Sequence, residues 1–419
     1  MRQSMLVLAL GLGSLTLSAQ DQPVQPFRAE ANYIRVDLYP TQGGKPVEDL
    51  QANEVEIADQ GVAQKIDSFV RIRRQGAPPQ QAARVEAATD AAAAASAPAA
   101  EDPSRLFVLF LDSNHVDGNF ARGISQRLIK ALNTLIRDDD LIAVMTADTN
   151  PRNLTFRKRT TSFEELVRSN WGRDRRMDLT PEEAQFANCY PGNPLSRVDP
   201  ESVGIAQAMI MRRREQRTLN ALDGLVDRLG ALQREGRKAV ITISYGWRLS
   251  DTEIPQPSGF ARATPQCENA RRSLSMLRSE SQFRDILNRA NRSNTTFYPI
   301  DPRGAVVFDE DIVPAAGVGF NPGLSLAEDR ARMSERRSSL LTMAEDTDGL
   351  AVVSTNNIDA GLKRIDDDLS SYYLLGFSST QKQDGKFHKL TVKVTRKGVT
   401  ARARRGYQAA TTGSAQARP

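Results

Sequence analysis

Arg105-Leu-Phe-Val-Leu-Phe-Leu-Asp112-Ser-Asn-His115 holds six consecutive apolar residues that stop at a carboxylate followed by two small polar residues. Such a run suits a strand buried on both faces of a sheet, which delivers a polar loop to the sheet's carboxyl edge. In open α/β sheets that edge is where ligands bind. An aspartate at a strand-to-helix turn also suits the cap of the helix that follows, so Asp112 carries both readings.

On the C-terminal side, apolar runs alternate with helical stripes. Ile124, Leu128, Leu132 and Leu135 line one helical face, Leu141 to Ala147 is a second strand ending at Asp148, and Leu154 to Lys158 is short enough for an antiparallel edge strand. A polar, arginine-rich insertion follows from Trp171 to Arg214, where Pro181, Pro191, Pro194 and Pro200 are expected to break any long element. Leu219, Leu222, Val226 and Leu229 restore a helical stripe. Lys238 to Ser244 is a central strand that ends at Tyr245-Gly246-Trp247, and Phe283, Ile286, Leu287 and Ala290 mark another helix. Thr295 to Ile300 stops at Asp301, with Pro299 predicting an irregular ladder. A helix over 328–345, a strand over 350–354 and the stripe Ile358, Leu362, Ile365, Leu369 complete the set. Alternation of this kind predicts an α/β domain over 105–370, a doubly wound, mostly parallel sheet covered by helices on both faces.

The flanks read as β structure. Residues 27–74 alternate apolar with polar around Tyr33 to Tyr39, and residues 371–409 hold three strand patterns, among them Leu390, Val392 and Val394. Three strands are marginal alone. The two segments are therefore expected to form one accessory β-sandwich with the α/β domain inserted between them. Residues 75–104 are an Ala/Pro-rich linker by composition, and 410–419 a polar, disordered tail.

The first 19 residues have the layout of a secretory signal peptide, with cleavage near Ala19, so the mature chain is expected in the periplasm or outside the cell. No later run is long and apolar enough to span a bilayer. Cys189 and Cys267 are too few for a disulfide scaffold or a cysteine metal site. In an exported chain they are expected to pair, which contributes about 4 kcal/mol if unstrained, and two free thiols are the alternative. The net charge of +5 comes from 56 Lys and Arg against 51 Asp and Glu. Its clusters at Arg73-Arg74, Arg175-Arg176, Arg212 to Arg214 and Arg402 to Arg405 read as solvated basic faces. No nucleic-acid-binding motif accompanies them, so no nucleic-acid partner is expected. No phosphate-binding or dinucleotide-binding glycine loop follows the first strand.

In their order along the chain, Phe107-Val-Leu-Phe-Leu-Asp112-Ser-Asn, Arg237-Lys-Ala-Val-Ile-Thr-Ile-Ser244, Phe297-Tyr-Pro-Ile-Asp301-Pro-Arg-Gly304 and Ser371-Tyr-Tyr-Leu-Leu-Gly-Phe377 resemble the acidobacterial-type family of von Willebrand factor A-related proteins. The similarity extends to Gly44-Lys-Pro-Val-Glu-Asp-Leu50, Gly385-Lys-Phe-His-Lys-Leu-Thr-Val392 and Arg402-Ala-Arg-Arg-Gly-Tyr407. The resemblance implies an extracytoplasmic protein with a central A-type domain. It also implies a metal-ion-dependent adhesion site, Asp-x-Ser-x-Ser with a later threonine and aspartate, whose oxygens hold a divalent cation.

Here the motif is degenerate. Asp112 matches, Asn114 offers an amide in place of the first hydroxyl, and Val116 offers nothing in place of the second. Ser244-Tyr245-Gly246 carries a phenol where the family has a carboxylate, and the spacing of Thr218 is not diagnostic. Asp112 and Asn114 are the candidate metal ligands, with Asp117, Asp148 and Asp301 as neighbouring carboxylates. The cofactor expectation is none, or a weakly bound magnesium ion. His115 is expected in an exposed loop and His388 in a structural position. The favoured function is an exported protein-binding or adhesion module, not an enzyme, presenting the loops after Leu111, Ser244 and Ile300 to a protein partner. The alternatives are an envelope scaffold without a ligand site and a hydrolase using Asp112, His115 and Asp301.

Overall fold

A computed structural model of the chain describes residues 33–73, 105–116, 118–158, 165, 179–190, 200–232, 237–250, 254, 256, 264–307, 309 and 326–409. The expected leader over 1–19, the linker over 75–104, the tail over 410–419 and Asp117 lie outside the described residues. Strands β1 (Tyr33–Gln42), β2 (Lys45–Pro46), β3 (Val55–Asp59), β4 (Val62–Gln64) and β5 (Ser68–Arg73) come first. The middle of the chain gives β6 (Leu106–Leu111), α1 (Gly118–Leu135), β7 (Leu141–Thr146), β8 (Arg157–Lys158), α2 (Pro181–Cys189), α3 (Pro200–Ala231) and β9 (Lys238–Ile243). Then follow α4 (Pro265–Ser275), α5 (Ser279–Arg292), β10 (Thr295–Ile300), α6 (Leu326–Asp346) and α7 (Ile358–Ser370). Strands β11 (Ser371–Ser378), β12 (Phe387–Val394), β13 (Val399–Ala403) and β14 (Gly406–Gln408) close the order.

The central sheet runs β10-β9-β6-β7-β8, parallel except for β8, which pairs antiparallel with β7. Along the chain, the neighbours of β6 are its successor β7 on one side and β9 on the other. The strand order therefore reverses beside β6, the point at which doubly wound sheets open a crevice. All six residues of β6 are buried, as its unbroken apolar run requires. Side-chain alternation splits them between two cores. Phe107, Leu109 and Leu111 pack with Leu128 and Leu132 of α1 and Leu362 and Ile365 of α7. Leu106, Val108 and Phe110 pack with Leu222 and Val226 of α3, Phe283 and Leu287 of α5, and Met343 of α6.

Three sequence expectations need correction. First, the insertion ends in one 32-residue helix, α3, because Pro200 stands at its first position, where its missing N–H costs no hydrogen bond. Second, Arg212 and Arg214 on that helix are buried rather than solvated, and in the Arg402 to Arg405 cluster Arg402 turns onto the buried Asp368. The guanidinium of Arg214 forms a fork on Glu183, at 3.0 and 3.1 Å, and Arg212 donates to Ser250 O at 3.1 Å. Third, the strand expected over 350–354 reduces to a single parallel bridge between Val352 and Ile300, whereas β10 pairs with β9 along its full length despite Pro299. Pro299 lies with its carbonyl toward the outer edge, where it accepts from Val352 N at 2.9 Å, so its lack of an N–H interrupts no ladder with β9. Cys189 and Cys267 sit on α2 and α4 and are joined by a disulfide, with 5.6 Å between their Cα atoms.

The ends of the chain build two antiparallel sheets, β13-β1-β11-β5 with β2 on β1, and β14-β12-β3-β4. Each contains strands from both ends: β1 lies between β11 and β13, and β3 pairs with β12. Val36, Leu38, Val55 and Ile57 share one apolar cluster with Leu375, Phe377 and Leu390. This β unit meets the N-terminal edge of the parallel sheet at Asp368, near the end of α7. Tyr298 Oη donates to Asp368 at 2.8 Å, Arg237 approaches at 3.4 Å and Arg402 from β13 forms a direct ion pair. The Arg237 guanidinium also stacks 3.7 Å from the ring centre of Tyr39 on β1. Among the described residues no helix is long and apolar enough to cross a membrane.

Candidate functional site

At the opposite edge of the same sheet, Asp112 follows β6 directly. Its N–H donates to Ile243 O at 3.0 Å, extending the ladder by one residue, and its carbonyl accepts from Val116 N at 3.0 Å to turn the chain. The carboxylate points inward and is fully buried, so a cap on α1 is not its role. His115 Nδ1 lies 3.0 and 2.9 Å from its two oxygens. Ser244 Oγ donates at 2.6 Å, Trp247 Nε1 at 3.0 Å and Thr218 Oγ1, from α3, at 3.4 Å. Asn114 Nδ2 in turn donates to Thr218 Oγ1 at 3.1 Å. Burial alone would raise the Asp112 pKa, but His115 and the hydrogen bonds from His115, Ser244 and Trp247 outweigh it and hold the group below its usual range.

His115 is therefore not the exposed loop residue expected from sequence: it is 3% exposed, because its ring folds back over the carboxylate three residues earlier. Its Nε2 and the hydroxyl of Ser113 are buried without a hydrogen-bond partner among the described residues. Glu215, one helical turn before Thr218 on α3, is also buried, and burial raises its pKa against the opposing charges of His115, Arg336 and Arg212. Its carboxylate accepts from Arg248 N at 3.1 Å, which anchors the chain just after Trp247.

The loop after β9 turns at Gly246, whose φ of +87° suits glycine, and a Cβ there would stand 2.1 Å from Arg336 O. Arg336 Nη1 donates to Gly246 O at 3.2 Å, and Trp247 N donates to Ser339 Oγ at 2.9 Å, so α6 grips this loop from outside. The loop after β10 joins through Arg303. That guanidinium binds Asp301 at 2.9 Å and Asp309 at 3.0 Å, donates to Tyr245 O at 3.2 Å and covers the Tyr245 ring. Arg336 also pairs with Asp309 at 3.0 Å. Asp301 is thus engaged by Arg303, and no hydrogen bond joins it to Asp112 or His115 among the described residues.

The structure brings Asp112, Asn114, His115, Thr218 and Ser244 together. Sequence reading missed Trp247 and Glu215. A tryptophan directly after a central strand is a usable signal, since a buried indole N–H needs an acceptor; Glu215, mid-helix among charges, gives none. His388 lies in the β unit, with its ring nitrogens 3.2 Å from Tyr407 Oη and 3.1 Å from Asp384. A polar recess of about 590 Å³ over α3 and α5, lined by Asp223, Gln282, Asp285 and Arg289 among others, includes none of the residues around Asp112.

These residues do not fit a divalent cation of the kind the family resemblance implies. Magnesium requires six oxygen ligands in a near-octahedral arrangement. Both Asp112 oxygens instead face protein donors, Asn114 turns its nitrogen to Thr218, and Val116 is a buried hydrocarbon. Among the described residues no cluster of three or more His, Cys, Asp or Glu side chains is suited to a metal.

No family model matches the chain, and no curated protein matches it. Among solved structures, the human COPII-coat protein Sec24c aligns with 74% of this chain and 45% of its own at 8% identity, with a TM-score of 0.25. This chain thus spans under half the length of that protein, and the likeness is too slight to inform its role.

Proposed function

We propose that the chain is an exported binding module, a von Willebrand factor A-like domain on a β-sandwich base, that presents the loops after β6, β9 and β10 to a protein partner. The observation that carries the reading is the cross-tying of these loops. Asp112, Glu215, Arg303 and Arg336 tie the described residues at the starts of these loops through buried and half-buried hydrogen bonds and ion pairs, so these positions are held before any partner arrives. A preorganised rim lowers the ordering cost of association. The strand order, reversing beside β6, supports the reading, since ligands of doubly wound sheets bind at such a carboxyl edge.

The test is site-specific photocrosslinking against an envelope fraction of the source cell. A crosslinker replacing Val307, 61% exposed in the loop after β10, should capture a defined partner, while one replacing Val62, 51% exposed on β4, should not. Capture from position 62 alone would move the binding surface to the β unit and sink this reading. The orientation of His115 on Asp112, Nδ1 toward the carboxylate and Nε2 unpartnered, is the one observation that favours a hydrolase. Complete burial of that ring opposes it, since a general base must reach a substrate proton. Ester or peptide turnover lost on His115→Ala would reverse the ranking.

A further inference from the structure

We infer that the imidazole of His115 stands in for the divalent cation, so that this chain assembles its carboxyl-edge rim from its own atoms and without metal. The inference rests on the geometry around Asp112 and holds whether or not the rim is the docking face. In a cation-centred site the aspartate oxygens face a positive ion, and hydroxyl oxygens turn their lone pairs to the same point. Here the polarity at that point is inverted. Four donors direct hydrogens at Asp112: the His115 ring, the Ser244 and Thr218 hydroxyls and the Trp247 indole.

Trp247 is a second donor of this kind. An indole N–H donates only and ligates nothing, and this one is aimed at Oδ2 from a fully buried ring packed 5.9 Å from Phe283. Ser244 cannot readily turn its lone pair either. It accepts from Gly246 N at 3.0 Å while donating to Asp112, and both bonds hold the loop after β9. His115 covers both carboxylate oxygens at once.

Two consequences follow for recognition. A partner does not bind by completing a metal coordination shell with its own carboxylate, because no metal position is open to it. Partner binding at this edge is also insensitive to chelators.

The experiment uses the full mature chain, stripped with EDTA and then supplied with millimolar Mg²⁺ or Mn²⁺, followed by thermal unfolding and titration calorimetry. The wild-type midpoint should stay where EDTA left it, with no saturable heat. A saturable shift abolished by Asp112→Asn would overturn the inference. His115→Ser removes the ring, and its midpoint in EDTA should fall and then rise by several degrees with Mn²⁺, as ligand linkage to the native state requires. If His115→Ser does not fold in EDTA, recovery of the folded state on adding Mn²⁺ supports the substitution of ring for ion. Failure to recover in either form counts against it. His115→Asn, which keeps an N–H for Asp112, should fold in EDTA and gain less from Mn²⁺ than His115→Ser; an equal gain would show that the donor is not what excludes the ion.

Discussion

Asp112 and Asp368 are buried carboxylates at opposite edges of one parallel sheet, and they are satisfied by different chemistry. Asp112, at the carboxyl edge, accepts from an imidazole, two hydroxyls and an indole. Asp368, at the amino edge, is held by two guanidiniums and a phenol. Charge-paired contacts thus hold the seam between the α/β unit and the β unit. The cluster on Asp112 instead combines one imidazole with hydroxyl and indole donors that fix direction, while Arg303 and Arg336 tie the surrounding loops through Asp301 and Asp309. A buried carboxylate is costly in either place unless every lone pair is met.

The largest effect is expected at the seam. Asp368→Ala leaves the buried Arg237 side chain and the half-buried Arg402 without their shared partner and should destabilise the fold by about 4 kcal/mol in urea unfolding. A cost as small as that of a surface pair would mean the seam is held by packing alone. Asp112→Ala strands several donors, only one of which is capable of carrying charge, and should cost about 3 kcal/mol. If it instead exceeds Asp368→Ala, the contrast between the two edges is reversed. Trp247→Phe keeps the ring packing and removes one hydrogen bond to a charged acceptor, for about 2 kcal/mol.

The smallest effect separates the edges by pH. Asp112 has a folded pKa held below its unfolded value, so its contribution is present above the unfolded pKa near 4 and is lost as pH falls through the folded value. Lys238, at the start of β9 with its Nζ 3.0 Å from Ser293 O, is lowered by burial to about 8. Between that pH and the ordinary lysine value the unfolded chain binds more protons, so stability should rise with pH. Lys238→Met should therefore flatten the alkaline limb and raise stability at neutral pH by about 1 kcal/mol. Asp112→Asn should change the acid limb alone. Urea midpoints measured across pH check both, and an alkaline limb unchanged in Lys238→Met would show that this lysine does not set it.

Much of the frame was legible because periodicity reports burial. The β6 run and the stripes Leu128-Leu132-Leu135 and Phe283-Ile286-Leu287-Ala290 all lie in the cores. The site was legible only in part. Asp112 announced itself by position, but the partners that decide its chemistry arrive from 106, 132 and 135 residues away. Arg212 and Arg214 misled for the same reason: a charge cluster reads as solvated until Glu183, on another helix, is seen to face it.

Sequence by itself determined the alternation of buried strands and amphipathic helices, the β character of both ends and the position of Asp112 at a strand's carboxyl terminus, since each depends on local hydrophobic spacing. Tertiary structure alone decided that β1 lies between β11 and β13 and in which register, that α3 runs unbroken through the arginines, and that the Asp112 oxygens face His115 and Trp247. Burial converts an ordinary aspartate and histidine into a fixed pair because the low-dielectric interior lets neither remain unpartnered, and only the packed chain specifies which partner each one meets.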